Sequence, residues 1–263
     1  MSDPTFLVGF QRSGTTALAG VLNAAFRAAG GCFTINGRLP YLLRRWYTSE
    51  DVRHRHVRGD EVAYALGRRA FTFPEADAWH GRARSAVEAS ARRVADDPVV
   101  PEVRDELRRV CRDAYGGAAL WGDKYNEYLL DLEYLAWVFP AARWIFLVRD
   151  PSSVAESMGR WRGKIWNPAV AAYQYEKWAA WNGRWLRFRG SVEDDRRLEL
   201  EYGALADDAA IDRLGRFTGT PVSAYRDLLG VGPAAPEDTL PELARRVWEA
   251  FADLGIVAAA VRG

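Results

Sequence analysis

The chain predicts an α/β fold in which a central parallel sheet is flanked by helices. Three observations predict it. Short apolar runs at Phe6–Val8, Ala118–Gly122 and Trp144–Val148 have the continuous hydrophobicity of strands buried on both faces. Longer stretches with helical spacing separate them, and strand–helix alternation implies crossover connections and parallel pairing. The strand ends run into glycine or charged residues, at the edge where open α/β sheets bind their ligands.

Each element follows in order. Phe6–Val8 is the first strand, and Gly9 and Gly14 break the chain before an Ala- and Leu-rich helix from Ala17 to Ala29. Gly30-Gly31 stops that helix. Cys32–Ile35 reads as a short second strand and Asn36-Gly37 as a turn. From Arg38 to about Val99 the character changes, with helical spacing at Tyr41–Trp46 and Val62–Ala70 and densely interleaved arginines and aromatics. A helix is expected over Glu102–Tyr115, a strand over Ala118–Gly122 and a helix through Val138. The strand Arg143–Val148 precedes a helix that begins at Ser152 or Ser153. A long helix over Pro168–Phe188 carries Trp178, Trp181 and Trp185 on one stripe, a core-packing pattern. Arg197–Tyr202 is the last strand. Helices follow at Leu205–Thr218, Val222–Leu229 and Glu242–Leu254, with Gly230–Asp238 as a loop.

Composition narrows the function classes. At 263 residues the chain suits one sizeable domain, taken as 1–263 with the helical insertion at about 36–100. A net charge of +1 gives no global field for nucleic acid. Only three lysines occur, Lys124, Lys164 and Lys177, so their positions are informative. Cys32 and Cys111 fit neither a disulfide framework nor a zinc motif. No apolar run reaches the roughly 20 residues that span a bilayer. Met-Ser-Asp-Pro leads directly into the first strand, so a cytoplasmic protein is expected. The Ala- and Arg-rich composition suits a GC-rich bacterial genome.

The segment Gly9-Phe-Gln-Arg-Ser-Gly-Thr-Thr16 concentrates anion donors. At a strand–loop–helix junction the loop N–H groups and the free N–H groups of the first helical turn converge on one spot that favours phosphate or sulfate. Ser13, Thr15 and Thr16 add hydroxyls, and Arg12 adds a forked cation. Gly9 and Gly14 have Walker A spacing, but Thr15 stands where that motif has lysine. A second cluster is Arg149-Asp-Pro-Ser-Ser-Val-Ala-Glu-Ser157, which places Arg149 at a strand end and Ser157 on the following helix. Third, Lys124 in Trp121-Gly-Asp-Lys124 follows a strand end.

These motifs resemble those of the sulfotransferases that use 3′-phosphoadenosine 5′-phosphosulfate (PAPS), in the Arg-Ser-Gly-Thr-Thr branch similar to protein-tyrosine and bacterial enzymes. The resemblance implies a P-loop NTPase-like sulfotransferase fold with a helical insertion. It implies that Arg12, Ser13, Gly14, Thr15 and Thr16 hold the phosphosulfate, and that Arg149 and Ser157 hold the 3′-phosphate. It implies that Lys124 stabilises charge on the bridging oxygen. Tyr202, in Leu200-Glu-Tyr-Gly-Ala-Leu205, corresponds to a tyrosine that touches the nucleotide; Glu201 and Gly203 depart from the family's Arg-Tyr-Glu-Asp-Leu. Tyr125-Asn126 departs from the usual Thr-Pro or Asp-Pro after the lysine. The carboxylate base of the tyrosine branch has no counterpart in Phe33–Arg38, which leaves Asp123, His54, His56, Glu61 and His80 as candidate bases. No metal is expected. The expected activity is sulfuryl transfer to a hydroxyl of a small aromatic or lipophilic acceptor, such as a secondary metabolite. The insertion would cover that acceptor, with Tyr41, Trp46, Tyr47, Tyr64, Phe71, Phe73, Trp79, Tyr125, Trp161 and Trp166 as candidate walls. A kinase or NTPase acting on a small molecule and a non-catalytic nucleotide-binding protein are the alternative readings.

Overall fold

A computed structural model describes residues 3–68, 73–160, 170–230 and 240–258. Its centre is a five-stranded parallel sheet of β1 (Thr5–Val8), β2 (Cys32–Ile35), β3 (Trp121–Lys124), β4 (Arg143–Val148) and β5 (Arg197–Glu201), in the order β2-β3-β1-β4-β5. From β1 the chain first builds one side of the sheet and then the other. The carboxyl end of β1 is therefore the switch point, where a crevice opens.

Period-two alternation assigns the strand side chains to two cores. Phe6, Val8, Trp144 and Phe146 face one side, while Leu7, Ile145, Leu147, Leu198 and Leu200 face the other. The second side is covered by α1 (Thr15–Ala28), α10 (Asp208–Thr218) and a 3-10 turn at Val222–Leu228. The first side carries α2 (Leu39–Trp46), α3 (Ser49–Arg53), α4 (Gly59–Gly67), α5 (Ala76–Asp96), α6 (Val103–Ala114), α7 (Leu132–Val138), α8 (Pro151–Gly159), α9 (Ala171–Phe188) and α11 (Glu242–Asp253). The tryptophan stripe of α9 is core packing: Trp185 stacks on Phe146 at 4.8 Å, and Trp178 is buried.

Three elements differ from the sequence expectation. Residues 76–96 form an unanticipated 21-residue helix. Its buried positions are Ala76, Trp79, Ala83, Ala86, Val87, Ser90 and Val94, a narrow stripe of mostly small residues that gives a weak hydrophobic signal. Strand β3 starts at Trp121, because Gly116 and Gly117 take left-handed φ of 66° and residues 118–120 complete the turn. Lys124 is thus the last residue of the strand. The helix expected after it splits into a 3-10 turn, Asn126–Leu130, and α7. The start of the long helix expected over Pro168–Phe188 lies outside the described residues, as do Phe71, Trp161, Lys164, Trp166 and most of the loop at Gly230–Asp238.

At the end of β3, Asp123 is fully buried. Its carboxylate accepts hydrogen bonds from Thr34 Oγ1 (2.6 Å), Tyr128 OH (2.6 Å), and the backbone N–H groups of Gly37 (2.9 Å) and Arg38 (2.7 Å). Asn36 and Arg38 hold left-handed φ of 58° and 50°, a conformation that costs a non-glycine residue of order 1 kcal/mol or more. The carboxylate pins this loop. Asp123→Ala would leave three buried donors, Tyr128 OH and the Gly37 and Arg38 N–H groups, without partners, and a stability loss on the order of 3 kcal/mol is expected. Urea denaturation checks this; a loss under 1 kcal/mol would show that the loop holds itself.

Candidate active site

The loop after β1 is shaped by close approach. A Cβ on Gly9 would lie 2.4 Å from the carbonyl oxygen of Leu147, and one on Gly14 would lie 2.2 Å from the Tyr202 ring. Gly14 also has φ 86° and stands at the N-terminus of α1 with no side-chain cap. Arg12 itself is left-handed, at φ 68°. Its Nε donates to Ser157 Oγ at 3.0 Å. Arg149 stacks its guanidinium 4.6 Å over the Tyr202 ring and donates a long bond, 3.4 Å, to the Arg12 carbonyl. Ser157 therefore meets Arg12, not Arg149.

Lys124 reaches the same spot from β3. Its ammonium donates to Thr16 Oγ1 (3.2 Å), Asn36 Oδ1 (3.1 Å) and Asn126 Oδ1 (2.9 Å), which accounts for all three of its protons. Asn126 in turn donates to the Gly9 carbonyl (2.8 Å) and Thr15 Oγ1 (3.2 Å), tying the turn after β3 to the loop after β1. A cavity of about 410 Å³ opens here, lined by Arg12, Gly14, Thr15, Thr16, Lys124, Arg149 and Tyr202 from the sequence reading. Tyr125, a candidate acceptor wall, lines it too, and so do Gln11, Asn36, Arg38, Asn126 and Glu127, which were not singled out from sequence. Their signal was proximity to marked residues, which becomes specific only when the strand ends are brought together.

The five candidate bases lie elsewhere. None lines this cavity. Asp123 is buried beneath the Asn36–Arg38 loop with the four bonds given above. His54 is exposed at the end of α3 and pairs with Glu50 at 2.8 Å. His56 and Glu61 are exposed, and His80 packs on the Trp79 ring. Among the insertion's aromatics, Tyr47, Phe73 and Trp79 are core residues and Tyr64 is exposed. Tyr41 meets Tyr125 edge-on at 5.0 Å.

The cavity is positive. Arg12, Arg38, Lys124 and Arg149 line it against one carboxylate, Glu127, among the described residues. Burial lowers the Arg12 pKa, and the nearby charges of Arg149 and Arg160 lower it further. Burial pulls Lys124 down to about 8, against smaller upward pulls from Glu127 and Asp123. The unfolded chain holds that proton up to the ordinary 10.5. The buried charge thus costs stability below about pH 8, and the cost is released as pH rises from about 8 towards 10.5. With three lysines in the chain, ¹⁵N-lysine NMR can follow Lys124 directly. A midpoint near 8 is expected, and one above 10 would mean that water solvates the ammonium.

No curated sequence matches the chain. Among solved structures, the sulfotransferase domain of the Synechococcus PCC 7002 olefin synthase is similar at 18% identity and a TM-score of 0.57, with 96% of each chain covered. The sulfotransferase domain of the curacin biosynthetic pathway is similar at 15% identity and 0.55, over 96% of this chain and 98% of that one. Sulfotransferase STF9 of Mycobacterium avium is similar at 14% and 0.51, over 96% and 76%. At these identities the likeness is one of fold. The profile of the Sulfotransferase family matches residues 4–224, nearly the whole chain, and the protein belongs to that family.

Proposed function

We propose that this chain moves a sulfuryl group from PAPS to a hydroxyl of a small aromatic or lipophilic acceptor, in the cytoplasm of a bacterium. The observation that carries the reading is the convergence of Arg12, Lys124 and Arg149 on one cavity at the carboxyl ends of β1, β3 and β4. The residues fit the donor. Ser13 Oγ is fully buried and has no hydrogen-bond partner among the described residues, an orphan polar atom inside the anion loop. Gly14 stands at the helix start with no side-chain cap, where N–H groups and the helix dipole favour an anion.

Arg12, Ser13, Gly14, Thr15 and Thr16 would hold the phosphosulfate end, Arg149 and Ser157 the 3′-phosphate, and Tyr202 the nucleotide edge. The bound donor supplies an activated sulfuryl group. Lys124 would meet the negative charge that grows on the bridging oxygen as the group leaves. A cation held in a dry site stabilises such charge without reorganisation. Tyr125, backed by Tyr41, offers an aromatic wall to the acceptor, and ring stacking adds about 0.5–1.5 kcal/mol.

Calorimetry with 3′,5′-adenosine bisphosphate tests the donor assignment. Arg149→Ala is expected to weaken binding by about 2–3 kcal/mol with the fold intact. Unchanged affinity would remove the 3′-phosphate role.

Lys124→Ala is expected to lower kcat about 10²-fold or more while nucleotide affinity changes little, because its contribution is made in the transition state. Collapse of affinity at constant kcat would make Lys124 a binding residue. An acceptor screen with labelled PAPS, comparing phenols and lipophilic alcohols with glycan fragments, tests the acceptor class. Turnover confined to glycans would overturn it.

A further inference from the structure

Transfer to a hydroxyl requires a group that takes the hydroxyl proton. Glu127 is the one carboxylate lining the cavity among the described residues. It is half-buried, and its side chain makes no ion pair or hydrogen bond among the described residues. The buried carboxylates differ: Asp123 and Glu106 are occupied by hydrogen bonds and Asp131 by an ion pair with Arg44, and the partly buried Glu199 bonds Arg189.

The position is held. Glu127 sits in the first turn of the Asn126–Leu130 segment, three residues after Lys124. Neighbouring Asn126 ties that turn to the Gly9 carbonyl and to Thr15. The negative charge of Glu127 is felt on both sides of the crevice, by Lys124 of β3 and by Lys177 of α9, holding both protons on more firmly. Lys177 itself bonds Gln11 of the anion loop at 2.9 Å. Glu127 thus lines the same cavity as the loop, the β3 lysine and Tyr125.

We propose that Glu127 is the general base that deprotonates the acceptor. The assignment rests on the sulfuryl-transfer reading above. The acceptor O–H proton passes to a Glu127 carboxylate oxygen. The freed oxygen pair forms the new bond to sulfur. The bond from sulfur to the bridging phosphate oxygen breaks, and its pair stays on that oxygen beside Lys124, leaving 3′,5′-adenosine bisphosphate. The proton on Glu127 then returns to solvent.

The test compares wild type, Glu127→Gln and Glu127→Asp by four measurements. Calorimetry with 3′,5′-adenosine bisphosphate should give affinities within about threefold for all three. ¹⁵N-lysine NMR should show the Lys124 midpoint lower in Glu127→Gln, confirming that the carboxylate faces that ammonium. Release of labelled sulfate from PAPS, with water as acceptor, should fall at least tenfold in Glu127→Gln. Transfer to phenol should fall about 10²-fold or more, and transfer to the far more acidic 4-nitrophenol much less, with partial recovery in Glu127→Asp. A uniform loss across water, phenol and 4-nitrophenol would overturn the base role, because a structural defect does not discriminate by acceptor acidity. Release and transfer within threefold of wild type in Glu127→Gln would overturn it as well, and so would a wild type that binds the bisphosphate but shows neither reaction. A wild type that fails to bind the bisphosphate would overturn the donor reading itself, separately from the role of Glu127.

Discussion

Two buried opposite charges on consecutive residues organise the binding edge of this protein. Asp123 and Lys124 end the same strand, and the pleat sends them to opposite faces of the sheet. They do not pair with each other. Asp123 is satisfied by two hydroxyls and two backbone N–H groups, and Lys124 by three neutral oxygens. Burying a charge is tolerable only when its hydrogen-bonding capacity is filled. Each charge therefore dictates the conformation of what surrounds it. The carboxylate imposes left-handed backbone on Asn36 and Arg38, and that bend brings the Asn36 side chain to the lysine.

The anion loop depends on the same edge from the other direction. Asn126 joins the turn after β3 to Gly9 and Thr15, so the two strand ends act as one unit. The resulting cluster of cations is poorly compensated. Burial disfavours the charged forms of Arg12 and Lys124, and the charge of Arg149 weighs further on Arg12, before any ligand arrives. Such strain is expected where a polyanion completes the electrostatics, and it makes the site a place of spent stability. Ser13, with its buried and unpartnered hydroxyl, belongs to the same logic.

Much of this was legible in the chain. Strand order aside, Phe6–Val8 and Trp144–Val148 announced themselves by continuous hydrophobicity, and Arg12, Lys124 and Arg149 by standing at or shortly after the ends of apolar runs. Helix α5 escaped because its buried stripe is mostly small residues, which carry little periodic signal. The insertion's aromatics were ambiguous for a related reason. A Trp or Phe at helical spacing reads the same whether it faces a core or a pocket, and Tyr47, Phe73 and Trp79 face the core.

The amino-acid order alone determined the α/β class, the glycine-containing loop after β1 and the cations at the ends of β1, β3 and β4, because those depend on periodicity and on short-range spacing at each strand end. Which carboxylate shares their cavity was decided only by tertiary structure. Asp123 and Glu127 are four residues apart and chemically alike in sequence. The pleat of β3 and the bonds to Gly37 and Arg38 turn the first beneath the loop. A single 3-10 turn, tied to Gly9 through Asn126, presents the second to the cavity. The same holds for Ser157, whose partner Arg12 lies 145 positions away. Contacts of that reach arise from the order in which parallel strands are laid side by side, and spacing along the chain carries no record of it.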